Sequence, residues 1–172
     1  VYGIEIYNFR DTITFPANGN YMIKWDECCR NAAIINMANP SSEFASFLTF
    51  VSVNSNAPNS TPTFLTPPVA YLPVDSIWQY NPLPFDPDGD SLVWSLATPL
   101  GIIDTVVGYQ YLSDSMYSDS AGTFALDPIT GSLSWSASLV GNFVSSFLIE
   151  DIQAYLKDGN IFDVEFASKF AA

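Results

Sequence analysis

A chain of 172 residues with 48% hydrophobic and 15% aromatic residues is long enough to bury a real core, as one large β domain or two small ones. Eighteen acids face five bases, and the net charge of −13 repels phosphate backbones and anionic membrane surfaces while attracting cations. There is no histidine, which excludes the usual general base and the commonest transition-metal ligand.

Short β-branched and aromatic runs recur between Pro, Gly, Asn and Asp, which predicts strands. In chain order the first are Ile4–Phe9, Thr12–Phe15, Tyr21–Trp25 and Phe44–Val53. Tyr21 to Trp25 alternates as a half-buried strand does. The stretch Pro58–Pro84 then holds seven of the twelve prolines, and because proline interrupts ladders it is expected to be an extended linker or edge segment. It divides an N-terminal β unit, 1–60, from a C-terminal sandwich, 61–172. Further strands are predicted at Ser91–Leu96, Val106–Leu112, Gly122–Leu126, Ser132–Trp135 and Phe143–Ile149. Asp151–Lys157 has the best helical periodicity of a weak field and still reads as strand. Lys157-Asp158-Gly159-Asn160 reads as a hairpin turn into Ile161–Phe170. The expected fold is all-β, an antiparallel sandwich.

Charged residues are only 13% of the chain, so its surface must be wetted by Ser, Thr and Asn, covered by glycan, or buried against neighbours. No apolar run reaches the roughly 18–20 residues of a spanning helix. The sequence opens on Val1 rather than Met, and a processed or truncated segment of an exported protein is expected.

The most informative stretch is Phe85-Asp86-Pro87-Asp88-Gly89-Asp90-Ser91-Leu92. Three carboxylates alternate through a tight turn, and Gly89 permits a positive φ. Alternating Asp around Gly aims several hard oxygens at one Ca²⁺; the plainer reading is a solvated acidic turn. An EF-hand is excluded, because the closing Glu of a 12-residue loop is absent. Together with Gly122 to Trp135 and Val140-Gly141-Asn142-Phe143, residues 81–96 resemble cadherin-like domains of the immunoglobulin-type sandwich, over about residues 61–155. Trp25-Asp26-Glu27-Cys28-Cys29-Arg30-Asn31, Ile34-Ile35-Asn36, Asn39-Pro40 and Asn59 to Phe64 are similar to large Bacteroidetes surface proteins, many of them exported by the type IX pathway or linked to gliding motility. The resemblance implies a secreted or cell-surface, adhesin-like or structural role without catalysis. It carries Asp86, Asp88 and Asp90 over as calcium ligands, with a further acid from Glu150, Asp151 or Asp158.

Cys28 and Cys29 are adjacent and no third cysteine exists. Related proteins often have a Cys shortly before the Asp-rich turn, where this chain has Tyr71-Leu72-Pro73. Three states stay open: a vicinal disulfide, bonds to another chain or to a missing segment, or free thiols. Two cysteines without histidine make a poor zinc site, and Cys-x-x-Cys is absent.

Six of the 13 Asp residues are followed by Ser or Thr and then a small or apolar residue. The triplet is similar to the O-glycosylation signal of exported Bacteroidetes proteins, which makes Thr12, Ser76, Thr105, Ser115 and Ser120 candidate glycan sites; Ser91 adjoins the acidic turn. Turn-then-strand sequence also produces this pattern. Asn59-Ser60-Thr61 fits the N-glycan acceptor pattern. Of the four Trp, Trp94 and Trp135 are expected in the core and Trp78 at the surface. The expected partners are further copies of the chain or other surface proteins. Glycans are the alternative, as ligands of a carbohydrate-binding module.

Overall fold

The computed structural model describes residues 5–118 and 124–152 in full and 157–169 in backbone. Its strands are β1 (Gly19–Glu27), β2 (Ala45–Val53), β3 (Thr63–Phe64), β4 (Val69–Pro73), β5 (Trp78–Tyr80), β6 (Pro84–Phe85), β7 (Ser91–Ala97), β8 (Ala125–Leu126), β9 (Leu133–Trp135), β10 (Gly141–Ile152) and β11 (Lys157–Lys169). The one helical element among the described residues is a single 3₁₀ turn, Pro40–Ser42. The chain is all-β and sandwich-like.

The larger sheet runs β1-β2-β11-β10-β7, and β4 adds to the edge of β11 that β2 leaves free. Every pairing in it is antiparallel except β4 with β11. Leu48, Thr49 and Phe50 of β2 pair with Ile161, Asn160 and Gly159 of β11, so one sheet draws strands from both sides of the proline-rich stretch. A smaller sheet, β5-β9-β8, covers part of one face, and β3 pairs with β6.

Strand β10 shows how two-residue periodicity builds this core. Phe143, Phe147 and Ile149 point to one face, where they meet Trp94 of β7, Leu72 of β4, and Tyr80, Leu133 and Trp135 of the smaller sheet. Val144 points to the other, against Ile34, Met37 and Val106 from the flanking loops. Phe143 and Trp135 are wholly buried and meet edge-to-face at 5.0 Å. Burying a ring the size of Phe143 contributes about 1.5–3 kcal/mol, and the paired rings add about 0.5–1.5 kcal/mol. At Gly131, φ is +67° and the ring of Trp94 lies where a Cβ would stand, 2.5 Å away. Only glycine closes the β8–β9 hairpin over that indole.

Several expectations fail for one reason: a strand needs a partner. Residues 5–9 and 12–15 have β-forming sequence but pair with nothing described, and Ile6, Tyr7, Phe9 and Ile13 are exposed. Segment 106–112 is a loop whose Val106 and Leu112 plug the core singly. Lys157–Asn160 is the start of β11, paired with Ile149–Ile152, rather than a turn. The proline-rich stretch is not a plain linker but the edge segment, because it carries β3, β4, β5 and β6, each paired on one side only among the described residues. The alternation at Tyr21–Trp25 does not mark a buried face either, since only Tyr21 of β1 is even half-buried.

Candidate metal centre

The β6–β7 connection is Asp86-Pro87-Asp88-Gly89-Asp90. Asp86 organises it: its Oδ1 accepts the backbone N–H groups of Asp88 at 2.8 Å and Asp90 at 3.1 Å. Its carbonyl accepts the N–H of Gly89, whose φ of +82° reverses the chain. A carboxylate that holds the backbone two and four residues on curls the loop around itself. Asp86, Asp88 and Asp90 are thereby brought together, each offering one oxygen within 4.8 Å of the others. That is about twice the length of a Ca²⁺–oxygen bond, so one ion can reach all three.

Two of the three carboxylates are withdrawn from solvent. Asp86 is only 8% exposed and Asp90 is half-buried, while Asp88 faces solvent. The second oxygens of Asp86 and Asp90 are inaccessible and have no hydrogen-bond partner among the described residues. A buried carboxylate oxygen without a donor is costly, and a bound cation removes the cost. The donor set is all carboxylate, which suits a hard cation such as Ca²⁺ and not a soft one. An open groove of about 570 Å³, walled by Asp86 and Asp90 with Leu83, Phe85 and Ile129, leads from the cluster to solvent.

A second layer ties the turn to the sandwich. Asp88 accepts the backbone N–H of Ser60 at 2.6 Å, and the next residue back, Asn59, donates from Nδ2 to Asp151 at 2.8 Å. Asp151 is fully buried on β10, opposite Leu92 of β7, and stands outside the set of mutually close oxygens. Its neighbour Glu150 is half-buried on the opposite face of β10. The side chain of Asp158 lies outside the described residues. Nothing in the sequence marks Asn59 and Ser60 as the clasp. Their one local signal, the N-glycan pattern, points elsewhere, and the Asn59 amide is engaged with Asp151.

Thr12, Ser76, Thr105 and Ser115 are all exposed outside strands longer than a single bridge. Ser120 lies outside the described residues. Asp11 and Asp104 accept the N–H of the residue that follows, and Asp114 that of Met116, so turn chemistry accounts for part of the acid–hydroxyl pattern. Ser91 opens β7 with its side chain exposed. Cys28 and Cys29 are bonded to each other. The arginine that follows is a structural pin: Arg30 is 5% exposed and donates to the carbonyls of Phe44 and Leu100. Trp94 and Trp135 are buried as expected. Trp78 is half-buried and stacks on Tyr80, whereas Trp25 is half exposed and the most open of the four. No protein-family model matches the chain, and no curated protein matches it.

Proposed function

We propose that this chain is an extracellular structural or adhesive module of a bacterial surface protein, with Asp86, Asp88 and Asp90 holding a calcium ion that stiffens one end of the sandwich. The observation that carries the reading is the buried Asp86, whose carboxylate stands within 4.8 Å of those of Asp88 and Asp90 and whose second oxygen has no donor among the described residues. The ion screens three acids in a chain of charge −13. It fixes the turn from which β7 starts, and through Ser60 it fixes the segment leading into β3. Its role is cohesion without turnover. O-glycans on Thr12, Ser76, Thr105, Ser115 or Ser120 belong to the same reading, since they would wet a surface poor in charge.

Calcium titration followed by calorimetry and thermal melting tests it. Extracellular calcium modules bind at about 10⁻⁴–10⁻³ M. At a hundred times the dissociation constant the fold gains about 2.7 kcal/mol, or about 5–10 °C in Tm. Asp86→Asn keeps an oxygen for the N–H groups of Asp88 and Asp90 but removes the charge, and is expected to abolish the gain. Glu27→Gln, at the far end of β1, is expected to retain it. A melting temperature unmoved by calcium raised to about 100 mM, a hundred times the weaker of these constants, sinks the metal reading.

A further inference from the structure

Strand β1 is the outer edge of the larger sheet, with β2 on its inner side and no partner among the described residues on the other. Its nine residues pair with β2 without a break, so no bulge deflects it, and it contains no proline. Met22 is 61% exposed, Trp25 50% and Ile23 37%. Soluble proteins blunt such edges with proline, bulges or an outward lysine. The single lysine here, Lys24, is drawn aside to Asp26 at 2.8 Å and to the carbonyl of Ile102.

We infer that β1 is a self-association edge, where a second copy of the chain adds its own β1 antiparallel to this one and the two sheets run on as one. The argument is one of register. A twofold axis that relates two antiparallel edge strands stands normal to the sheet and preserves its faces, so one residue must lie opposite its own copy. Ile23 is the midpoint of Gly19–Glu27, and centring on it pairs all nine residues. Tyr21 then faces Trp25 of the second copy, twice over, which is a favourable aromatic cross-strand pair. Met22 faces Lys24, Asn20 faces Asp26 and Gly19 faces Glu27, so no charge meets its like. Centring on Lys24 opposes two ammonium groups. Centring on Met22 drops Asp26 and Glu27 from the ladder and sets Gly19 against Trp25.

Charge also favours a copy of this chain. Two molecules of charge −13 repel, but β1 and β2 together carry one lysine against two acids, and β2 carries no charge. The acids concentrate elsewhere, the turn at Asp86–Asp90 among them. The hairpin is therefore a face of low charge, on which two copies meet with little repulsion. Phe9 extends the apolar stripe by stacking on Trp25, with ring centroids 5.4 Å apart.

The inference rests on the building-block reading for its purpose, but it makes no use of calcium. Its test is therefore run on the full chain in EGTA, so that failure of the edge and failure of the metal site are told apart. Sedimentation over a range of micromolar concentrations is expected to show a monomer–dimer equilibrium. Ile23→Lys, which sets two ammonium groups face to face on the axis, is expected to weaken it by about tenfold or more. Circular dichroism checks that the variant stays folded. Independently of that variant, Ile23→Cys is expected to oxidise to a covalent dimer well ahead of Met22→Cys, because only residue 23 faces itself. A chain that stays monomeric throughout overturns the inference. So does a dimer indifferent to Ile23→Lys, or crosslinking no faster at 23 than at 22.

Discussion

The side chain of Asn36 stands in for a strand where β7 stops. β7 pairs with β10 only from Ser146 onward, which leaves the start of β10 without a neighbour on that edge. Ile35 takes up the carbonyl of Asn142, and Asn36 then accepts the N–H of Val144 at 3.0 Å and donates to its carbonyl at 2.8 Å. Asn36 is fully buried. Asn36→Ala strips the Val144 N–H of its acceptor and leaves the Val144 carbonyl only the long contact from the Tyr109 hydroxyl at 3.4 Å, at a cost of about 1–3 kcal/mol for each group left unsatisfied. Urea unfolding is expected to show a clear drop in midpoint with little change in slope. A variant as stable as the parent would mean that water or a shifted loop replaces the amide. The role of Asn36 could not be read from sequence, because Val144 is 108 residues away. The acidic triad was legible for the opposite reason. Asp86, Asp88 and Asp90 are ordered by hydrogen bonds no longer than four residues. Its clasp to Ser60 spans 28 residues and that of Asn59 to Asp151 spans 92, and neither was visible.

Elements were legible in proportion to how much of their pattern local chemistry settles. Predicted strands at Tyr21–Trp25, Phe44–Val53, Ser91–Leu96, Ser132–Trp135 and Phe143–Ile149 coincide with β1, β2, β7, β9 and β10. Residues 5–9 carry the same residue types and pair with no strand among the described residues, and partner choice is tertiary information. The β8–β9 hairpin is the clearest local case. Its Asp127 accepts the backbone N–H of Thr130 at 3.0 Å and of Ile129 at 2.8 Å, which stabilises the carboxylate and lowers its pKa from the usual value of 3.8. A carboxyl with a depressed folded pKa contributes stability that is present above the unfolded value and lost as pH falls through the folded one. Unfolding measured between about pH 5 and pH 2 is expected to show this loss, and Asp127→Asn is expected to flatten part of that slope. Asp26 behaves alike, held down by Lys24 and Ser46, so some slope remains in the variant. An unchanged acid profile would remove Asp127 from the account.

At the scale of the whole molecule, a charge of −13 works against compactness and for cation binding at once. These two effects predict different salt responses. Monovalent salt shortens the Debye length to about 10 Å at 0.1 M and relieves repulsion among exposed acids wherever they lie. Raising NaCl from low to physiological strength is therefore expected to raise Tm gradually, in the parent and in Asp86→Asn alike, because one charge in eighteen acids hardly alters the diffuse field. Calcium held by Asp86, Asp88 and Asp90 would act locally, through a cluster in which Asp86 and Asp90 each keep one buried oxygen without a donor among the described residues. Its increment is expected to persist on top of saturating NaCl, to level off with a single-site isotherm, and to vanish in Asp86→Asn. Magnesium, which holds its water and demands octahedral geometry, is expected to give less at equal concentration. If NaCl at matched ionic strength reproduces the calcium effect in full, the divalent ion is acting as a diffuse counterion. The acidic turn is then a solvated loop, and the stiffness of that end of the sandwich must come from the Asn59–Asp151 and Ser60–Asp88 contacts alone.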